Sequence, residues 1–350
     1  MRFGDRLIQK KIEGLKCFML TLCAIPVMAN AEVSYEHLEE CCDLLLVKNL
    51  EIQQNLNIDY LYFRAIEDTL KYGETNFSLV PPPSHNIEQD FSYNPGIRAT
   101  ISIPTYDHWL LSGSYTHFRV YPSKVIINDS TGNIFANLVV PTYFSPVNQQ
   151  VSRLCGEWEL KMQIFDVLFK KGLMIGKSLL IEPFFGVQGC TVKQTVDVNY
   201  IFFNPRTSLK PPQKVKGVSR VSGVGPELGA EFRLVFPCQM SLFARGGISC
   251  LLGSFKMHTD YGNLLGCSLS STQISLKDHK LRLFSSMQLQ IAFSKYWRSS
   301  LNFELELTMG WETQVWWRQM RMNWFSTLAF PPDGSDLTLH GPFIRLSLGF

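Results

Sequence analysis

Hydrophobic and polar residues alternate with a period of two along most of this chain. Strong cases are Ile97, Ala99, Ile101 and Ile103 against Arg98, Thr100 and Ser102, and Trp158, Leu160, Met162 and Ile164 against Glu157, Glu159, Lys161 and Gln163. Val224, Leu228, Ala230, Phe232 and Leu234 oppose Glu227, Glu231 and Arg233. Leu281, Leu283, Met287, Leu289, Ile291 and Phe293 oppose Arg282, Ser286, Gln288 and Gln290. The cleanest run sets Leu301, Phe303, Leu305, Leu307, Met309 and Trp311 against Asn302, Glu304, Glu306, Thr308 and Glu312. Weaker runs cover 109–119, 179–199 and 239–257. Side chains of successive strand residues point to opposite faces, so each run predicts a strand with one apolar face. The runs reach or exceed the roughly 9–11 residues that a tilted strand needs to cross a bilayer. Soluble sandwich strands are shorter, at about 5–6 residues.

The last alternation ends the chain: Ile344, Leu346, Leu348 and Phe350, separated by Arg345, Ser347 and Gly349. A C-terminal aromatic on such a strand resembles the sorting signal of bacterial outer-membrane barrels. At the other end, Arg2, Arg6, Lys10, Lys11 and Lys16 precede an apolar run, Cys17–Met28, that is too short for a transmembrane helix. Ala29-Asn30-Ala31 then fits a signal-peptide cleavage site between Ala31 and Glu32. The expected organisation is a cleaved leader over 1–31, a helical or irregular periplasmic segment over 32–55, and a barrel over 56–350. Apart from the leader, no apolar run approaches the length of a membrane-spanning helix, although 45% of residues are hydrophobic.

Connection lengths set the topology. Short links at 104–108, 170–178, 236–238 and 294–298 alternate with long ones at 121–151, 201–213, 261–279 and 318–335, as the short periplasmic turns and longer outer loops of such barrels do. Walking back from Phe350 requires one more strand before 91–103, and Leu56–Tyr72 supplies it, followed by a Pro-rich loop over 73–90. The fold class is therefore all-β: a transmembrane antiparallel up-and-down barrel of about ten strands, within a range of about eight to twelve. Tyr106, Trp109, Phe236, Tyr296, Trp297 and Phe350 fall near the periplasmic ends, where an aromatic girdle belongs.

Charge then excludes more than it suggests. The +3 net charge lies wholly in the leader: removing its five basic and two acidic groups from 33 and 30 leaves 28 of each. Nucleic acid is not an expected partner. Outer-membrane lipid and, during biogenesis, the barrel-assembly machinery are. Gly172 to Ser178 approaches a phosphate-binding loop but has three residues between its glycines instead of four. Gly223-Val224-Gly225 sits inside a strand pattern, where a dinucleotide fingerprint has no helix to open. No HExxH, GxSxG or CxxC occurs, so no catalytic centre, cofactor or metal is expected. The one acid–histidine set that an outer-rim hydrolase could use is His258, Asp260, Asp278, His279, Asp336 and His340.

If the apolar residues face lipid, the opposite face lines the lumen. The expected pore-lining set is Arg98, Glu157, Glu159, Lys161, Glu182, Glu227, Glu231, Arg233, Arg245, Arg282, Glu304 and Glu306, with Glu312 and Arg345 beside them. Trp158, Leu160, Leu228, Leu305, Leu307 and Leu346 then face outward. Balanced charge of this kind either lines a narrow wet path or pairs up and fills the interior. Ten strands lie near the filled end of the range.

Several stretches together resemble the legionella- and chlamydia-type pore-forming major-outer-membrane-like proteins. They are Asp59-Tyr60-Leu61-Tyr62-Phe63-Arg64-Ala65, Tyr93-Asn94-Pro95-Gly96-Ile97-Arg98, Tyr106-Asp107-His108-Trp109, Ile181-Glu182-Pro183-Phe184-Phe185-Gly186 and Gly223-Val224-Gly225-Pro226-Glu227-Leu228-Gly229. Gly310-Trp311-Glu312, Trp316-Trp317-Arg318-Gln319 and Asp336-Leu337-Thr338-Leu339-His340-Gly341 complete the set. Phe63 and Glu182 stand where the family pattern has a Trp and an Arg, which bears on pore charge and not on fold. The resemblance implies pore formation, and with the strand count and balanced charge the expected function is a narrow, weakly selective outer-membrane pore; a closed structural or adhesive barrel is the alternative. Beyond the leader the cysteines are Cys41, Cys42, Cys155, Cys190, Cys238, Cys250 and Cys267. Disulfide cross-links to envelope proteins are one expectation for them, and for Cys190 and Cys250 simple packing in the wall is the other.

Overall fold

The computed structural model describes residues 54–67, 70–75, 85–106, 109–129, 134–136, 138, 150–176, 178–202, 212–236, 239–265, 268–298, 304–320 and 335–349. The expected leader, residues 32–53 of the segment expected over 32–55 and the terminal Phe350 lie outside them, as do Cys41, Cys42, Cys238 and Cys267.

The chain forms fourteen strands: β1 (Asn55–Glu67), β2 (Lys71–Thr75), β3 (His85–Glu88), β4 (Tyr93–Pro104), β5 (Trp109–Asn128), β6 (Ile134–Ala136), β7 (Gln150–Lys171), β8 (Leu173–Ile175), β9 (Leu179–Phe202), β10 (Gln213–Phe236), β11 (Met240–Leu265), β12 (Ser268–Arg298), β13 (Glu304–Met320) and β14 (Ser335–Gly349). Ten of them, β1, β4, β5, β7 and β9 to β14, close into an antiparallel barrel. Closure runs through β1–β14, where Asn55 faces Gly349 and Tyr60 faces Ile344. The remaining four are short: β2 pairs with β3 and β6, β6 with the start of β7, and β8 with the start of β9.

Strand count, closure and the common rim of the short turns follow the sequence pattern, with five local differences, the first being that the loop expected over 121–151 is still β5 as far as Asn128 and contains β6. The strand expected over 56–72 ends at Glu67, and β2 leaves the wall. The loop expected over 73–90 contains the end of β2 and all of β3. The turn expected at 294–298 is instead strand, with Ser294 paired to Thr308 and Tyr296 to Glu306, so the chain turns between Arg298 and Glu304. The long loop expected over 261–279 is a continuation of the β11–β12 hairpin, in which Asp260 faces Ser275 and Leu265 faces Ser268. The Gly172–Ser178 stretch is a hairpin turn, with Gly176 at φ +67, a backbone region that glycine enters without penalty.

Several wall strands are far longer than a membrane needs: β9 and β10 have 24 residues, β11 has 26 and β12 has 31. Their polarity reverses part-way along. On β10 the outward residues are Phe236, Leu234, Phe232, Leu228 and Val224 near the turn rim, then Ser222, Arg220, Lys216 and Lys214 toward the loops. The inward residues reverse with them, from Arg233, Glu231 and Glu227 to Val221 and Val215. Along β10 the parity does not slip; only the chemistry on each face changes. Lipid outside the lower wall rewards an apolar outer face, with Leu228 59% and Ile291 61% exposed there. Water outside the upper wall rewards a polar outer face, and the apolar side chains turn inward to bury themselves.

That reversal corrects one part of the facing pattern. On β7, Trp158, Leu160, Met162 and Ile164 point into the barrel and are buried, while Glu157, Glu159 and Lys161 are on its outer surface. These three do not line the lumen. Lower on the same strand the sense is the expected one: Phe165, Val167 and Phe169 face out, Asp166 and Lys170 face in. Leu228, Leu305, Leu307 and Leu346 face outward and Glu227, Glu231, Arg233, Arg245, Glu304 and Glu306 inward.

Candidate functional site: a charged lumen beneath an apolar cap

The lower interior is built from alternate residues of the lipid-facing segments. Because their neighbours must be apolar, these inward positions carry the polar side chains. They gather into two ionic clusters.

In the first, Arg98 on β4 meets Glu312 on β13 through two hydrogen bonds, Nη1 to Oε2 at 2.9 Å and Nη2 to Oε1 at 2.7 Å. Its Nη1 also reaches Asp59 Oδ2 at 3.3 Å, and its Nε donates to Thr116 Oγ1 at 2.9 Å. Arg345 on β14 closes on Asp59 from the other side, with Nε–Oδ1 at 2.8 Å and Nη2–Oδ2 at 2.9 Å. Gln288 and Gln290 donate to Glu312 at 2.7 and 2.8 Å. Asp59 and Glu312 side chains are fully buried. Charges this dry persist only when paired and hydrogen-bonded on several sides, as these are.

In the second cluster Lys170 Nζ lies 2.6 Å from Glu231 Oε1, and Arg245 reaches Glu231 at 3.3 Å and Glu227 at 3.5 Å. Arg233 pairs with Glu306 at 3.3 Å and lies over the Tyr296 ring at 5.6 Å; Arg245 lies over Phe184 at 4.8 Å. Asp166 accepts from Ser114 at 2.7 Å and from Gln188 at 3.0 Å. Between the two clusters a cavity of about 170 Å³ is bounded by Arg98, Glu182, Glu231, Glu304, Glu306 and Arg345 and extends to rim residues Asn55 and Gly349.

Above the clusters the interior is apolar. Phe63, Phe118, Trp158, Phe255, Trp316 and Phe343, contributed by six different strands, are each no more than 1% exposed. Their rings meet in two groups, Phe63 with Phe118 at 6.0 Å, and Phe255 with Phe284 at 5.6 Å and Phe284 with Trp316 at 6.4 Å between centroids. A small polar set lies within the layer: Trp158 Nε1 donates to Gln194 at 3.1 Å, and Gln194 Nε2 donates to Gln319 at 2.8 Å and to Glu67 at 3.3 Å. Glycines give the rings their room. A Cβ on Gly253 would stand 2.4 Å from Phe284, and one on Gly229 would stand 2.4 Å from Phe184. The glycines of the 223–229 stretch thus serve close packing within a strand.

Of the sequence-derived lining set, Arg98, Glu227, Glu231, Arg233, Arg245 and Glu306 enter the ionic clusters. Glu182 and Glu304 border the cavity. Arg282 shares the inward parity of Phe284, beside the cap. Asp59, Asp166 and Lys170 were not anticipated. Asp166 and Lys170 share parity with Trp158, and the signal for them was the apolar set Phe165, Val167 and Phe169 on the opposite face. Of the sorting residues, Ile344, Leu346 and Leu348 face outward.

The acid–histidine set does not converge. His258 and Asp260 pair with each other at 2.9 Å on the outer surface of β11, and Asp278 pairs with Lys280 at 2.6 Å. His279 contacts Ser254 at 2.8 Å, while Asp336 accepts from the Arg318 N–H on β13 at 2.8 Å. No group of three or more metal-capable side chains occurs among the described residues. Cys155, Cys190 and Cys250 are free thiols; Cys190 is buried in the cap and Cys250 faces outward in the apolar belt.

Among solved structures, the chain is similar to the outer membrane protease OmpT from Escherichia coli at 9% identity, over 85% of this chain and 96% of that one, with a TM-score of 0.43. It is also similar to Ail, the attachment invasion locus protein of Yersinia pestis, at 10% identity, 85% and 97% coverage and a TM-score of 0.24. A Pseudomonas aeruginosa FadL homologue matches at 6% identity, 85% and 89% coverage and a TM-score of 0.26. No curated protein matches the sequence. A family model described as Legionella pneumophila major outer membrane protein precursor matches residues 47–350. With that match spanning the whole closed barrel and its lipid-facing belt, the chain belongs to the Legionella major outer membrane protein family and is a protein of the bacterial outer membrane.

Proposed function

We propose that this protein is a closed structural barrel of the outer membrane, whose interior is shut by its apolar cap. The observation that carries this reading is the cap itself: six aromatic side chains from six strands, each no more than 1% exposed, lie across the route from the charged cavity to the loop side. Ions do not cross a layer of packed apolar rings without displacing it, because each would shed its hydration with nothing to replace it. The paired clusters below support the same reading, since an Arg held at two points by a buried carboxylate is a strut and not a mobile gate. The test is a planar-bilayer recording of refolded full-length protein. Silent wild-type protein, with openings appearing in a Trp158→Ala/Trp316→Ala variant, is the expected result. Steady unitary conductance of the wild type would sink it.

One observation favours the second reading, a narrow pore: the cavity reaches the turn rim and carries both signs of charge. Should wild-type protein conduct, Glu304→Gln/Glu306→Gln would move its reversal potential toward anion selectivity, because two negative charges leave a weakly screened wall.

A further inference from the structure

On the outer surface of the upper wall, six strands present one uninterrupted cross-strand row of basic residues. Arg119 on β5 faces Lys161 on β7, Lys161 faces Lys193 on β9, Lys193 faces Arg220 on β10, Arg220 faces Lys256 on β11, and Lys256 faces His279 on β12. All six point outward. Directly paired residues stand about 4.5–5.5 Å apart, and like charges so placed destabilise a sheet. Folding therefore gives no reason for the row.

The surrounding rows obey the usual rule. Two rows further out, Lys216 sits between Asp197 and Asp260, and Asp197 also holds Lys214 at 2.8 Å. In the basic row only Arg119 and Lys161 are relieved, both by Glu159, at 2.7 and 3.1 Å. Lys193, Arg220 and Lys256 have no ion-pair partner among the described residues. A shallow groove over the same strands is lined by Arg220, Lys256, Lys277 and His279, and also by Asp278, which Lys280 holds at 2.6 Å.

The position of the row names its ligand. The outward residues immediately below it are Gln163, Thr191, Ser222, Ser254 and Leu281; the next row down, Phe165, Gly189, Val224, Leu252 and Leu283, belongs to the apolar belt. The row is thus four residues beyond lipid-facing side chains, about 13 Å along a strand and less along the membrane normal because the strands tilt. That is headgroup depth on the loop side, which the short-turn rule places outside the cell. We propose that this row is a phosphate-binding strip for the phosphorylated glycolipid of the outer leaflet, its acyl chains lying along the belt below and its phosphates bridging Lys193, Arg220 and Lys256. Ammonium and guanidinium groups suit phosphate oxygens, and a bridging dianion turns the repulsion within the row into attraction.

The test uses full-length protein refolded in zwitterionic micelles, with thermal unfolding followed by the gel-mobility shift between folded and unfolded barrel. Added bis-phosphorylated lipid A should raise the melting temperature more than dephosphorylated lipid A with the same acyl chains, because only a ligand that prefers the folded state stabilises it. The difference should shrink with added salt. It should vanish in K193Q/R220Q/K256Q, which, without lipid, should melt no lower than wild type because a like-charge row has been relieved. The single variants K193Q and K256Q should each lose part of the difference, and K193R/K256R should keep it. Equal stabilisation by the two lipids, or a triple variant that keeps the phosphate preference, would overturn the proposal. So would a soluble polyanion such as heparin matching lipid A, since the row would then serve a ligand that needs no acyl chain.

Discussion

Arg98 and Glu312 lie 214 residues apart in sequence and meet inside the barrel through two parallel hydrogen bonds of 2.9 and 2.7 Å. The pair ties β4 to β13, strands separated in the wall by β1 and β14. It therefore bridges across two intervening strands on the lumen side instead of stitching neighbours. Removing one partner leaves a fully buried charge without its counter-ion, at a cost of about 3–5 kcal/mol. Arg98→Met should lower stability by that order in urea titrations of the folded barrel. Arg98→Met/Glu312→Met should recover much of the loss, and a double variant as unstable as the sum of the singles would show that the pair is not a unit.

Facing can be read with spin labels. A nitroxide at position 228 or 291 should be quenched by oxygen dissolved in lipid, and one at 159 by a water-soluble relaxant. Leu228→Arg should cost about 2–4 kcal/mol if that residue is near mid-membrane. A lipid-type signal from position 159 would restore the uniform facing that the β7 alternation first suggested.

Thiol labelling separates the three described cysteines. Cys155 lies on the outer face of the upper wall, Cys250 in the apolar belt and Cys190 inside the cap. In single-cysteine variants, a membrane-impermeant maleimide should label Cys155 and leave Cys190 and Cys250 unmodified until the barrel is unfolded. Rapid labelling of Cys190 in the folded state would mean that water reaches the cap.

The cap should also be a major store of stability. Trp158→Ala or Trp316→Ala removes a side chain no more than 1% exposed and leaves a cavity, costing about 3–5 kcal/mol. Glu157→Gln, on the outer surface of the same β7 segment, should change stability little. Equal losses for Trp158→Ala and Glu157→Gln would mean the upper interior is not packed as described.

Strand number, closure and most facing were legible in the sequence because a period of two is a strong local signal. Parity was read correctly even on β7. What alternation cannot carry is sign: Trp158 against Glu159 looks the same whether lipid or water lies outside. The sign becomes visible only where the chemistry exchanges faces along one strand, as between Gln163 and Phe165. The hairpin over 261–279 was hidden for a related reason. Its outer wall is polar because it stands in water, so Asp260, Ser275 and Lys277 resemble a loop by composition. The turn after Arg298 was set five residues early, since Ser294, Lys295 and Tyr296 offer turn-like polarity that pairing with Thr308, Leu307 and Glu306 overrides. Ionic partners such as Arg98 and Glu312 need closure of the whole barrel before they meet, and no local pattern contains that.

The exchange of polarity along each strand gives assembly a direction. To reach the outer face, Lys193, Arg220 and Lys256 must pass the hydrocarbon layer, against a toll of about 2–4 kcal/mol for each Lys or Arg at the midplane. Once across, the same charges oppose withdrawal. The cap can form only after the wall is in place, because its rings come from β1, β5, β7, β11, β13 and β14 together. Insertion then works as a latch: entry is made strand by strand, but retreat requires the aromatic layer to be broken first and the whole charged wall to be drawn back through oil.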